Sequence, residues 1–284
     1  MNSKMMKIAI PLLLSAALLS ACGKSDTKTN SGAEHGGHGA HEAGEQQVGA
    51  GANQEKDVQA VFKLSSEKPR AKQDTGVSIQ IAGKDNKPIE SLDVSHEKKL
   101  HLIVVSKDLS YFNHIHPEDK GKGAFQISTQ FPAGGEYKLF ADFVPTGMGS
   151  MTKSQWITVQ GDAAKAVALE PEANLTKTVD GKEVTLTFDK LQAGKAVNMT
   201  FNIKDAASKK PITNLQPYLG AVGHVVVLSA DASQYLHVHP TDEKAAGPDA
   251  KFMTTFPASG IYKIWGQFQH EGKVFTVPFV VKVP

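Results

Sequence analysis

Cys22 is the only cysteine in 284 residues. One thiol forms no intrachain disulfide, and it excludes thiolate zinc clusters and dithiol redox chemistry. Charge of one sign is also missing: 31 Lys and Arg stand against 29 Asp and Glu, a formal net charge of +2. That balance gives no electrostatic footprint for nucleic acid. Beyond the first two dozen residues no apolar run approaches the ~20 residues that a membrane-spanning helix needs. No long window carries helical periodicity. A Ser-nucleophile motif, a phosphate loop and a paired acid–base signature are all absent, so an enzyme is not expected. Three histidines on zinc can activate water, but no general base stands out beside them.

What is present begins at the N-terminus. Residues 1–7 carry two lysines, residues 8–19 are apolar apart from one serine, and Leu19-Ser20-Ala21-Cys22 follows. A basic start, a short apolar run and small residues before a cleavage point read as a secretory signal over 1–21. The Cys after Leu-Ser-Ala resembles the lipobox of bacterial lipoproteins. The resemblance implies that Cys22 is lipidated and anchors the protein to a membrane of the cell envelope on the extracytoplasmic face. An ordinary signal peptide with an incidental cysteine is the alternative. After Cys22, residues 23–56 are mostly Gly, Ala, Ser, Glu, Gln and His, with some Lys, Thr, Asn and Asp, one Val and no aromatic, too polar to bury a core, so a disordered tether is expected over 22–56. Within it "EHGGHGAHE" places His35, His38 and His41 among glycines, either a loose metal-gathering arm or a soluble spacer.

From Val58 the texture changes to short apolar or alternating runs punctuated by Gly, Pro, Asn and Asp. Strands are predicted at 77–81, 100–105, 136–143, 155–159, 184–188, 197–203, 224–228, 261–268 and 275–283. The runs also repeat. "KPIESL" at 87–92 matches "KPITNL" at 210–215, and the register holds without a gap through Pro117 and Pro240. His101 falls on His224, Asp108 on Asp231, His114 on His237 and His116 on His239. After a loop of different length, "FPAGGEYKLFADF" matches "FPASGIYKIWGQF". The chain is therefore expected to be all-β, two copies of one antiparallel β-sandwich in tandem at 57–161 and 175–284, with the boundary in 161–174.

Apolar positions drift between the copies, Ile103 against Val226 and Phe112 against Tyr235, while the three histidines do not. His114 and His116 are two apart, so on a strand both leave one face. A hairpin turning through Lys107–Ser110 pairs Ser106 with Tyr111, Ile103 with His114 and His101 with His116. Three imidazoles then converge, because opposed side chains share a face; a turn one residue longer or shorter sends His101 to the other face. The same argument groups His224, His237 and His239. Three imidazoles with room for a further ligand suit copper or zinc ions. Met148, Met151 and His270 are weaker candidate ligands, the thioethers favouring Cu(I). The bland alternative is a structural corner, His-x-His-Pro, copied with the domain. His96, in the polar "SHEKK", reads as a solvated loop residue. Gly135 and Gly260, in the repeated Phe-Pro-Ala-x-Gly turn, are expected at positive φ.

"HLIVVSKDLSYFNHIHP" followed by "FPAGGEYKLFADF" resembles the YtkA-like domain of bacterial lipoproteins and secreted proteins, and "GHVVVLSADASQYLHVHP" with "FPASGIYKIWGQF" resembles a second copy. The resemblance implies an immunoglobulin-like sandwich in each copy and a link to heavy-metal, especially copper, handling. It singles out His101, His114, His116, His224, His237 and His239. The leading expectation is a membrane-anchored protein that captures a transition metal, copper first and zinc second, for buffering or for delivery to a transporter or metalloenzyme. The other class of function is a structural module that docks an envelope protein, with the histidines as corner residues.

Overall fold

The computed structural model describes residues 57–236 and 238–284. The signal segment expected at 1–21, Cys22, the tether with His35, His38 and His41, and His237 lie outside the described residues. Among the described residues no helix is long and apolar enough to cross a membrane.

The chain is all-β and forms two immunoglobulin-like sandwiches. In chain order the first contains β1 (Val58–Leu64), β2 (Asp74–Gly83), β3 (Leu92–Asp93), β4 (Leu100–Ser106), β5 (Phe112–Ile115), β6 (Glu118–Gly121), β7 (Ala124–Gln130), β8 (Gly135–Pro145) and β9 (Met151–Val159). One sheet has the order β1-β2-β7-β6; the other runs β3-β8-β4-β5, with β9 on the far side of β8. The second contains β10 (Thr176–Val179), β11 (Lys182–Phe188), β12 (Ala196–Asp205), β13 (His224–Ser229), β14 (Tyr235–Leu236), β15 (His239–Pro240), β16 (Asp249–Thr255), β17 (Gly260–His270) and β18 (Lys273–Val283). Its sheets are β10-β11-β12-β16-β15 and β14-β13-β17-β18, and all the strand pairings in both sandwiches are antiparallel. Each of the nine predicted strands lies inside an observed one.

The repeated sequence features act as local fasteners. In the β4–β5 turn the Asp108 carboxylate accepts from Ser106 Oγ at 2.6 Å, Ser110 Oγ at 2.8 Å and the Ser110 amide at 3.1 Å. Asp231 repeats the pattern with Ser229 Oγ at 2.6 Å, Ser233 Oγ at 2.8 Å and the Ser233 amide at 3.0 Å. An Asp that satisfies its own turn is the usual reason for Asp at such a place. In the Phe-Pro-Ala-x-Gly turns, Gly135 and Gly260 take φ of 134° and 151°. Two residues on, Tyr137 donates its hydroxyl to the Ala133 carbonyl at 2.9 Å and Tyr262 donates to Ala258 at 2.8 Å, pinning the turn to the strand that follows it.

Burial of β4 explains how the sandwiches meet. A strand with one wet face alternates, as β2 does; β4 is buried from Leu100 through Val105. Leu100, Leu102 and Val104 enter the first sandwich's own core, while Ile103 and Val105 enter a third cluster. That cluster joins Ile103, Val105, Leu109 and Phe140 to Val226, Leu228, Ala232 and Trp265. Each residue of the first set sits at the aligned position of one in the second. The contacts are reciprocal: Lys138 Nζ donates to the Ala232 carbonyl at 2.6 Å, and its counterpart Lys263 donates to the Leu109 carbonyl at 2.8 Å. Leu109 and Ala232 hold φ of 56° and 54° in the two turns, which aims these carbonyls at the lysines. The two copies therefore pack sheet on sheet about a local pseudo-two-fold axis, as the two halves of an isologous dimer do.

Candidate metal centre

The register of the first hairpin is the one the sequence predicts. The Ser106 amide donates to the Tyr111 carbonyl at 3.2 Å, and His114 lies opposite Ile103. His101 and His114 therefore share the face that looks toward the second sandwich. His116 follows directly after β5, where the chain leaves one sheet for the other to begin β6. Pro117, buried, ends the strand there by lacking the amide a further ladder bond requires.

The candidate ligand nitrogens of His101, His114 and His116 all lie within 4.8 Å of one another. Ring centres are 5.2 Å apart for His101 and His114, 5.1 Å for His101 and His116, and 4.7 Å for His114 and His116. Zinc–imidazole bonds run ~2.0–2.1 Å, so the ring centres of two imidazoles on one ion lie roughly 4.5–5.2 Å apart. All three pairs fall in that range.

The hydrogen bonds decide where the lone pairs point. His101 Nε2 is 2.9 Å from the Ser95 carbonyl, which only accepts, so this nitrogen carries the proton. His114 Nδ1 is 2.7 Å from Gln267 Oε1, and Gln267 spends its own Nε2 on Thr276 Oγ1 at 3.2 Å, so His114 Nδ1 carries the proton too. In the neutral rings this leaves His101 Nδ1 and His114 Nε2 as two lone pairs facing each other at 3.0 Å. Facing lone pairs repel unless a cation lies between them. That cation is either a metal ion or a proton on His101; His114 does not hold the proton itself, since burial, and then the neighbouring His101, push it down to about 3. His116 is pushed down to about 4 by burial first and His101 second. Its Nε2 is shut off from solvent and has no hydrogen-bond partner among the described residues.

Around the triad stand groups the sequence did not bring together. His224 comes from β13 of the other sandwich; its ring is 4.7 Å from His114 and lies parallel to His101 within 11° at 5.5 Å. His96, expected to be solvated, is half-buried at φ 47°, edge-on to His224 at 5.4 Å and to His101 at 6.3 Å. Burial and then His239 hold its pKa below the usual value. Asp142, directly across from His101 in the β4–β8 ladder, is buried, and burial raises its carboxyl despite the opposing pull of His101. Nothing in a loop such as "SHEKK" shows that a second domain will close over it. Asp142 carried a clearer signal, since a carboxylate opposite an inward histidine shares its face.

Other candidates fall elsewhere. Met151, opposite Phe143, is buried in the first sandwich's core, and Met148 packs against that core. Neither side chain is part of the imidazole group, because the core face of β8 is the one opposite to that of Asp142. His270 ends β17, its Nε2 3.1 Å from Asn214 Oδ1. His239 is exposed on β15 opposite Met253, in the other sheet from His224; it is not one of the three clustered ligands, though its charge reaches His96 at the edge of the group. Among the described residues a three-imidazole group forms once, in the first copy.

Solved structures with a similar arrangement include the FdeC adhesin of Escherichia coli, at 17% identity over 79% of this chain and 64% of that one, TM-score 0.27. The adhesin InvE of Yersinia pseudotuberculosis matches at 11% identity over 82% of this chain and 61% of that one, TM-score 0.26. A two-domain fibronectin type III segment of chicken tenascin matches at 13% identity over 78% and 97%, TM-score 0.21. The chain thus spans less than two thirds of the two adhesin structures, and likenesses this loose carry nothing about function. No curated protein matches. A family model matches residues 54–161 and again 177–284, and the chain belongs, as two tandem copies, to the family described as Domain of unknown function (DUF8832).

Proposed function

We propose that the protein binds a transition-metal ion at His101, His114 and His116. The observation that carries this reading is the convergence of His101, His114 and His116, whose candidate ligand nitrogens all lie within 4.8 Å of one another, while the other ring nitrogens of His101 and His114 rest against the Ser95 carbonyl and Gln267 Oε1. A divalent cation would take His101 Nδ1 and His114 Nε2 as two ligands and His116 Nε2, which has no hydrogen-bond partner among the described residues, as a third. With imidazole ligands and no thioether in the group, the donor set favours Cu(II) or Zn(II) over Cu(I). Copper remains our first candidate, in keeping with the YtkA-like resemblance, and zinc the second. We read the site as one for holding an ion rather than for catalysis.

The sequence supports a wider role. A lipid on Cys22 would hold the protein at the outer face of a membrane, and His35, His38 and His41 would gather ions near it. The protein would then buffer the metal or pass it to a transporter or metalloenzyme.

Calorimetric titration with Cu(II) and Zn(II) tests the reading. The full chain in detergent, carrying His35→Ser, His38→Ser and His41→Ser, isolates the sandwich site. Tight binding of one ion, lost with His114→Ala and His116→Ala together, is the expected result. An equal response from that double variant would refute it.

A further inference from the structure

We propose that Gln267 of the second sandwich is a positioning residue for the first sandwich's triad, so that ion binding and the docking of the two sandwiches are coupled. The proposal rests on the metal reading above and deepens it.

A histidine ligates through one nitrogen, and which nitrogen is available is set by the hydrogen bond the other one makes. For His114 the nitrogen facing His101 is Nε2, so the proton must stay on Nδ1. The acceptor that keeps it there lies across the interface: Gln267 Oε1, at 2.7 Å and 153 residues away in sequence. Gln267 suits this task in three respects. It is 5% exposed, so water does not readily replace it. Its amide is oriented by donation to Thr276 Oγ1 on the neighbouring strand, which leaves the oxygen for His114. And β17 carries it opposite His224, on the face that meets the first sandwich.

The comparison between copies sharpens the point. Gln267 occupies the position of Asp142 in the first copy, each directly across from the first histidine of its copy. The histidines are the same in both copies, but the residue across from them is a carboxylate in one and an amide in the other. The first sandwich supplies the ligands, and the second supplies the group that fixes one ligand's tautomer. Linkage then acts in both directions: docking raises affinity for the ion, and the ion favours the docked arrangement by the same factor.

The test uses Zn(II) as the probe, on the full chain in detergent with the three tether histidines replaced as above. Gln267→Leu keeps the bulk and removes the acceptor; Gln267→Glu keeps an oxygen in place. Loss of an outer partner of a ligating histidine weakens binding ~10–100-fold. We expect that loss for Gln267→Leu, with affinity near or above wild type for Gln267→Glu. A residue serving the fold alone would not show this rescue. Thr276→Val, which only frees the Gln267 amide, should weaken binding several-fold, and it carries the test if Gln267→Leu does not fold. Zinc binding as tight as wild type in folded Gln267→Leu, or in Thr276→Val where the former is unfolded, overturns this inference and leaves the triad standing. A wild-type protein that binds no ion overturns the metal reading and this inference together.

Discussion

Phe112 lies nearly flat against Trp265, with ring centres 4.7 Å apart and planes 17° apart. The counterpart pair, Phe140 and Tyr235, meets at 5.5 Å. These contacts lock two copies of one domain face to face and so put His224 and Gln267 over the first copy's histidines.

Trp265 is 3% exposed and belongs to the interface cluster. Trp265→Ala should destabilise the protein by about 3–5 kcal/mol. Urea unfolding measures the loss. The same variant should become sensitive to limited proteolysis within 161–174, where Leu169 packs on the cluster and the Val167 amide donates to Asp108 in the wild type.

His116→Leu should separate stability from binding. The wild-type Nε2 is buried without a partner among the described residues, an arrangement that costs about 1–3 kcal/mol. Without added metal the leucine variant should melt at or above the wild-type temperature, while its affinity for Zn(II) falls at least tenfold. A lower melting temperature with intact binding would contradict this role.

The depressed histidines set a direction for pH. His114 and His116 titrate at about 3 and about 4 in the fold, against an ordinary value of 6.5. Between those limits the unfolded chain binds more protons than the folded one, so stability rises with pH across that window. The contribution is complete above 6.5 and is lost as pH falls toward 4. Denaturation midpoints of the metal-free protein should drop between pH 6.5 and 4, and His114→Phe should flatten the slope.

Met151→Leu and Met148→Leu should leave affinity for Cu(II) and Zn(II) unchanged, because both methionines pack with the first core. A volume-conserving swap there alters stability by less than about 1.5 kcal/mol.

Turn length provides a final check. One glycine inserted after Asp108 makes a five-residue connection and reverses the parity that puts His101 and His114 on one face. Zinc binding should disappear. Unchanged binding would mean that the triad does not depend on hairpin register.

Much of this could be read in one dimension. Asp108 and Asp231, each bonded within its own turn, made the repeat visible and set the loop length. Period-two spacing and a four-residue loop placed His101 and His114 on one face, since those are local properties of a pleated strand. The strands not predicted include β1, β7 and β16, along with the short β3, β6, β10, β14 and β15; on β7 and β16 polar residues outnumber apolar ones. Long-range packing determined the rest. The apolar run 100–105 announced a buried strand, but nothing in it revealed that its outer face would close against the second copy. Sequence periodicity reports which residues share a face, because the backbone fixes that within a few residues. It does not report what that face meets. His96 and His224 beside the triad, and Gln267 against His114, depend on which two sheets pack together, and that was settled by complementary apolar surfaces far apart in the chain.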